Sequence, residues 1–274
     1  MKNLISLVIV TLLAVWSAKA DAALIQSDIV IFMDESGSMG NDDDGGNYTN
    51  RLTSNIFSNL NFFNSSLTER DIEAHYAIVG FGGASGIRLL TDNFVSAATA
   101  MNDAKAIENT GNEENAFDAV GVALDEIWLF NDPLLTFTQG ALKNFILFTD
   151  EVDNSQFASQ GDVSGWLDQH ETFFNTVLPG GENSLLTEFT TLANTTGGNA
   201  FDLNSLLTDS QQAAQAFMSN LGQVKANELV CQNNPNACMV TVSSPATSGL
   251  LLSAFAAVLF FGRRKVADTR FVCR

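Results

Sequence analysis

Positive charge is what this sequence is shortest of. Lysine and arginine number 13 against 31 aspartates and glutamates, a formal net charge of −18. Most of the cations sit near the ends: between Ala23 and Phe261 there are 29 acidic and 6 basic residues, a balance of −23. A surface of that sign repels nucleic acid and anionic lipid and attracts divalent cations, so a nucleic-acid partner is excluded. Histidine is nearly absent, with only His75 and His170. A Ser/His/Asp triad would have to use one of them, yet His75 opens a strand-like run and His170 lies in the acidic stretch "WLDQHETFF". Cysteine is limited to three residues. Cys231 and Cys238 bracket the turn-forming "QNNPNA", and in an exported chain the expectation is a local disulfide that staples a stalk. Zinc at this pair would lack further ligands, because neither histidine is near in sequence. No internal repeat is present.

Both ends carry targeting patterns. Lys2, an apolar run from Leu4 to Trp16 and the small residues of "SAKADAA" read as a secretory signal over residues 1–22, cleaved after Ala20 or Ala22. Near the other end, Ala246 to Phe261 hold no charge and Arg263, Arg264 and Lys265 follow at once. That is the arrangement of a membrane stop with its basic end in the cytoplasm, slightly short of the roughly 20 residues of a full span. The proline-containing motif, short apolar helix and basic cluster over Val242–Lys265 resemble the PEP-CTERM sorting signal of Gram-negative bacteria. Ser243 and Ser244 stand where that pattern has proline and glutamate. The resemblance implies processing by an exosortase-type enzyme and a place at the cell surface or in the extracellular matrix. Simple anchoring to the inner membrane, facing the periplasm, is the other reading.

Between the ends, short apolar runs alternate with helical patterns, which predicts an α/β fold: a doubly wound, mostly parallel sheet with helices on both faces. Ile29 to Met33 form a first buried strand. Leu52, Ile56, Leu60 and Phe63 share a helical face. "HYAIVGF", "RLLTDNF", "NFILFTD", "FFNTVLP" and "NAFDL" read as further strands. "SAATAMNDAKAIE", "ENAFDAVGVALDEIWLF", "SLLTEFTTLA" and "SLLTDSQQAAQAFMSNL" read as helices. The expected division is a domain over 23–226, a linker over 227–244, the anchor or sorting signal over 245–265 and a basic tail over 266–274.

The chemistry is concentrated where the first strand ends, in "MDESGSMGNDDDGGN". Ligands of an open parallel sheet collect beyond the carboxyl ends of its strands, and Asp34 and Asp150 both close such strands. If the two strands are neighbours, these carboxylates meet the hydroxyls of Ser36 and Ser38 at one edge. Oxygen donors without nitrogen or sulfur suit a hard cation. "DESGS" after a buried strand, with "FILFTDE" closing a later one and "LANTTGG" before the last, is similar to the von Willebrand factor A-type (VWA) domain and its metal-ion-dependent adhesion site (MIDAS). The resemblance spans roughly Ser27 to Leu221. It implies a Rossmann-like VWA fold, a first metal loop of Asp34, Ser36 and Ser38, and a last ligand at Asp150. It further implies Mg²⁺, with Ca²⁺ or Mn²⁺ as alternatives, and a protein or polysaccharide partner whose carboxylate completes the metal's shell. The family commonly offers a threonine before the third helix. Here Glu113 aligns with that position, with Thr110 three residues earlier as the alternative.

Other patterns weigh less. "NDDDGGN", with Asp42, Asp43 and Asp44, lacks EF-hand spacing and reads as a solvated rim. Glu151 and Asp153 read as surface charges. "GFGGASG" lacks the lysine of a phosphate loop, and "SGSMG" has Ser36 where a nucleophile elbow needs glycine. A non-enzymatic binding protein is expected, either an adhesin that holds its ligand through the cation or a structural interaction domain with an enclosed metal. Hydrolysis is the minor alternative.

Overall fold

The computed structural model describes residues 24–40, 48–108, 110–130, 132–180 and 187–234. The expected signal peptide, the Asp42 to Asp44 run, Cys238 and the apolar C-terminal segment lie outside these residues. Among the described residues no helix is long and apolar enough to cross a membrane.

β1 (Ile25–Asp34) is buried from Ser27 to its end, on both faces. Such a strand reads as continuous apolar residues because helices cover both sides of a parallel sheet. It pairs in parallel with β2 (Ile72–Phe81) on one side and β4 (Leu142–Phe148) on the other, so that Ile29 lies between Tyr76 and Asn144. β5 (Phe173–Leu178) and β6 (Ala200–Asp202) extend the β4 side in parallel, and β3 (Arg88–Leu89) closes the β2 side antiparallel. The order is β3-β2-β1-β4-β5-β6. Connections leave β1 and β4 toward opposite edges, which puts the topological switch point between those two strands and opens a crevice at their carboxyl ends.

The pleat sorts β1 between two cores. Ile29, Ile31 and Met33 face α1 (Tyr48–Phe57), α2 (Leu60–Thr68), α3 (Ala97–Asp103) and α7 (Gln211–Asn233). Val30 and Phe32 face α4 (Ala116–Ala123), α5 (Gln160–Gln169) and α6 (Thr187–Thr196). On that second face Phe32 meets Phe145 edge-on, ring centroids 5.1 Å apart. Burying each ring contributes about 1.5–3 kcal/mol. α5 begins at a capping box in which Ser159 accepts from the Asp162 amide and Asp162 accepts from that of Ser159.

Three expectations are corrected. The helix expected through Phe130 ends at Ala123, because Asp125 takes a left-handed conformation (φ 62°) and the amides of Glu126 and Ile127 both donate to the Gly121 carbonyl. The chain folds back there, and the apolar periodicity of "DEIWLF" belongs to a loop. "RLLTDNF" supplies only the two-residue β3. The linker does not start at Asn227, because α7 continues to Asn233 and buries Glu228 and Leu229. A polar network holds that helix down: buried Lys225 donates to Asn144 Oδ1 and Glu228 Oε2, both at 2.8 Å. Asn175 and Asn199 donate to the Glu228 carboxylate in turn, so each buried charge is paired and hydrogen-bonded. Cys231, in the last turn of α7, is disulfide-bonded.

α7 and α2 cross at Gly222. A Cβ there would lie 2.6 Å from the Phe63 carbonyl oxygen and 2.9 Å from its Cα. Gly222→Ala is expected to cost about 1–3 kcal/mol through overpacking. Differential scanning calorimetry should show Tm falling by roughly 2–4 °C per kcal/mol; an unchanged Tm would mean that the helices can separate freely.

Candidate metal centre

β1 delivers Asp34 to the crevice fully buried. Its Oδ1 accepts from the Ser36 amide at 2.8 Å, and its Oδ2 accepts from the Thr149 hydroxyl at 2.6 Å, so the carboxylate ties the end of β1 to the residue following β4. The chain then turns so that the Ser36 and Ser38 hydroxyls stand 2.8 Å apart, and Ser38 donates to Asp150 Oδ1 at 3.1 Å. Asp34, Ser36, Ser38 and Asp150, expected together from sequence, are thus linked by hydrogen bonds at one sheet edge.

Neither candidate for the middle loop reaches inward. The side chains of Thr110 and Glu113 are exposed, whereas Glu114 is buried. Among the described residues its Oε2 has no hydrogen-bond partner. The loop is fixed from both sides by backbone contacts. The Thr110 amide donates to the Glu35 carbonyl at 3.2 Å and that of Gly37 to the Gly111 carbonyl at 2.8 Å. Gly111 passes so close to Gly82 that a side chain there would collide with the Gly82 carbonyl. On the far side, the Glu114 amide donates to Asn154 Oδ1 at 2.9 Å and the Glu114 carbonyl accepts from the Asn154 amide at 2.6 Å. Two consecutive glutamates before a helix leave the inward one ambiguous in sequence. The start of α4 resolves it, because Glu114 immediately precedes the N-cap Asn115.

Glu35, beside Asp34, is equally buried but serves the scaffold. Arg88 grips it with two hydrogen bonds, Nε to Oε2 at 3.1 Å and Nη2 to Oε1 at 2.7 Å, and the Glu108 amide adds a third at 2.6 Å. Asp153 is likewise structural: it accepts from the amides of Phe117 and Ser155 and from the Ser155 hydroxyl. Glu151 is exposed, and His170 pairs with Glu126 at 2.8 Å, away from the serines.

Burial raises every acid of the centre. Asp34 is pushed up by desolvation, against the hydrogen bonds from Thr149 and Ser36. Glu114 rises to about 9 through desolvation and then the Asp34 charge, and Asp150 to about 6 for the same two reasons. All donors are oxygen, as a hard divalent cation prefers. The buried Glu114 Oε2, without a hydrogen-bond partner among the described residues, fits a positively charged ligand. Among the described residues no group of three His, Cys, Asp or Glu side chains stands ready to hold a metal as they are placed, so a shell drawing on Asp34, Glu114 and Asp150 would have the serine hydroxyls to complete it and would require the three carboxylates to close in on the ion.

No protein-family model and no curated protein matches the chain. Among solved structures it is similar to proximal thread matrix protein 1 of the mussel byssus, at 14% identity over 74% of this chain and 48% of that one, with a TM-score of 0.53. A second structure of the mussel protein, with a zinc-occupied MIDAS motif, matches at 15% identity, the same coverage and a TM-score of 0.50. The chain has the Rossmann-like fold of a VWA domain. It spans about half the length of the mussel protein. The VWA domain of SpRpn10 also matches, at 14% identity over 73% of this chain and 98% of that one, with a TM-score of 0.47.

Two outcomes follow for the VWA fold itself. Arg88→Met leaves the Glu35 carboxylate buried without a counter-charge and is expected to cost about 3–5 kcal/mol in urea denaturation; a loss below about 1 kcal/mol would mean that Glu35 escapes to solvent. The second concerns pH. Acids whose pKa is higher folded than unfolded stabilise the fold most when protonated, and that contribution is lost as pH rises through the folded value. Chelator-treated protein should therefore melt at a higher temperature at pH 5 than at pH 8.5, with the loss complete by about 6 for Asp150 and continuing to about 9 for Glu114. A flat profile in the presence of chelator would remove the electrostatic case for a cation.

Proposed function

We propose that this chain is an exported, surface-associated interaction protein in which a divalent cation, Mg²⁺ or alternatively Ca²⁺ or Mn²⁺, orders the loops at the carboxyl edge of the sheet. Asp34, Ser36, Ser38, Glu114 and Asp150 would hold the ion. The observation that carries the reading is the buried, unpartnered carboxylate oxygen of Glu114 beside the hydroxyl-linked Asp34 and Asp150. The metal's role here is charge compensation. Asp34 orients the first loop through the Ser36 amide, Thr149 holds Asp34 in place, and Asn154 fixes the backbone of Glu114.

Between the two modes of a metal-bearing interaction domain, Glu114 favours the enclosed one. With three carboxylates facing one 2+ charge, the centre keeps a net negative charge and has little attraction for a partner's carboxylate. A partner bound through the metal, whether protein or polysaccharide, would require Glu114 to withdraw. Ser36 and Ser38 bond to each other and Ser38 to Asp150, rather than to a histidine, which supports a binding role over hydrolysis. Adhesion or matrix assembly suits the export signals, and the mussel protein of like fold is named for a thread matrix. The Cys231–Cys238 pair and the segment from 245 to 265 would tether the domain to the membrane or to a sorting enzyme.

Calorimetric titration of Mg²⁺, Mn²⁺ and Ca²⁺ into the chelator-treated full chain, in detergent, tests the centre. One saturable site is expected, lost in Asp34→Ala and weakened roughly ten-fold or more in Glu114→Gln, which removes one full charge from the ligand set. Tighter binding in Glu114→Gln would show that the glutamate opposes the ion, and no binding to the wild type would leave a VWA fold without a working centre.

A further inference from the structure

Five of the seven large apolar side chains exposed among the described residues lie on two loops: Trp128, Leu129 and Phe130 after α4, and Val152 and Phe157 before α5. Trp128 is 82% exposed and Phe157 65%. Apolar groups gathered in this way mark interaction sites more often than scattered ones do. A cleft of about 100 Å³ joins the loops. Leu129 and Phe157 line it together with Ile87, Glu113, Asn154 and Gln156.

These side chains are presented by fixed backbone. The amides of Gln156, Phe157 and Ala158 all donate to the buried Asp118 carboxylate, at 3.0, 3.0 and 2.9 Å. The Trp128 indole donates to the Asp125 carbonyl at 3.0 Å. Aromatics held outward on a pinned main chain cost little ordering entropy when a partner arrives. The cleft also adjoins the candidate metal centre, since Asn154 lines it and brackets Glu114.

The charge around the patch is of one sign. Glu113 stands in the cleft, Asp125 and Asp132 flank the first loop, and Glu151 precedes Val152; all four are exposed, and none is in an ion pair among the described residues. The neighbouring cation, Arg88, is spent on Glu35 and Glu108. The net charge of −18 opposes a second copy of the chain, and the exposed carboxylates oppose an acidic polysaccharide.

We propose that this cleft is a docking site for a cationic protein segment, one bulky apolar side chain seated between Leu129 and Phe157 and adjacent lysines or arginines facing Glu113. This inference rests on the interaction-domain reading and names the chemistry of its partner. The metal, on that reading, fixes one wall of the cleft through Glu114 and Asn154.

The test uses fluorescence anisotropy of the full chain in non-ionic detergent with Mg²⁺ present, titrated against labelled Lys-Phe-Lys-Leu-Lys. Glu-Phe-Glu-Leu-Glu and Lys-Ser-Lys-Ser-Lys serve as controls, and a labelled alginate oligosaccharide is titrated separately. Saturable binding of the first peptide is expected, at least roughly ten-fold tighter than either control. Joint Leu129→Ser and Phe157→Ser substitution should weaken it roughly ten-fold or more, with the Mg²⁺ titration unchanged. Glu113→Gln should weaken it several-fold and reduce its salt dependence. Equal binding of the serine peptide, preference for the acidic peptide, equally tight binding of the alginate oligosaccharide, binding indifferent to the double substitution, or self-association relieved by that substitution would each overturn the proposal. Peptide binding without any Mg²⁺ binding would sink the metal reading alone, and Mg²⁺ binding without peptide binding would sink this one alone.

Discussion

The hydrogen bond from the Thr149 hydroxyl to the Asp34 carboxylate, 2.6 Å long and removed from solvent, is the contact on which the sheet edge depends. It joins the ends of the two strands that flank the switch point. Through the other oxygen of Asp34, which accepts from the Ser36 amide, it sets the turn that brings two serine hydroxyls to Asp150. A carboxylate in that position is expensive to bury, and the position persists because the backbone around it leaves no alternative. β1 is enclosed on both faces, and the strand must end somewhere inside the crevice.

Asp34 and Glu35 form an internal comparison. They are adjacent, both fully buried and both raised by desolvation. Glu35 has Arg88, whose guanidinium matches it with two hydrogen bonds. Asp34 has hydroxyl and amide donors but no cationic side chain among the described residues, and its charge in turn pushes up the neighbouring Glu114 and Asp150. In a chain so poor in lysine and arginine, spending one on Glu35 and none on Asp34 is informative. The protein neutralises the acid that has a structural duty and gives Asp34 no cationic side chain among the described residues, which is what the proposed cation would supply.

Much of this was legible in the sequence, and the parts that were not share a cause. The strands at Ile29–Met33 and "NFILF" are continuous apolar runs, and runs of that kind report burial on two faces. Asp34 and Asp150 are placed by those runs, because a residue at a strand's carboxyl end has a defined position. Glu114 has no such reference. It sits in an irregular loop, where no period says whether Glu113 or Glu114 points inward, and the choice is made by the Asn154 bracket from 40 residues away. The end of α4 failed to show for a related reason. Ile127 packs back on Gly121 through a left-handed turn at Asp125, so an apolar residue at helical spacing filled the helix's groove without belonging to the helix. The tail of α7 was hidden by composition, since Asn227, Gln232 and Asn233 look like linker until Lys225 and Glu228 are seen paired beneath the sheet.

The acidic excess and the enclosed centre also bear on each other. A MIDAS that captures an acidic ligand needs an ion with charge to spare, and a chain of net charge −18 would hinder such a ligand's approach at low ionic strength before the ion could attract it. Placing Glu114 in the centre removes the spare charge, and the surrounding carboxylates remove the attraction at longer range. Both features favour the same division of labour. On the proposed reading the ion would hold the loops together from inside, and the contact with a partner would fall to the rim that those loops present, where Leu129 and Phe157 supply apolar area and Glu113 supplies the sign of the charge. Asn154 belongs to both halves, with its main-chain amide and side-chain carbonyl on Glu114 and its edge in the cleft, so on the proposed reading a cation at the centre would reach the rim through this residue.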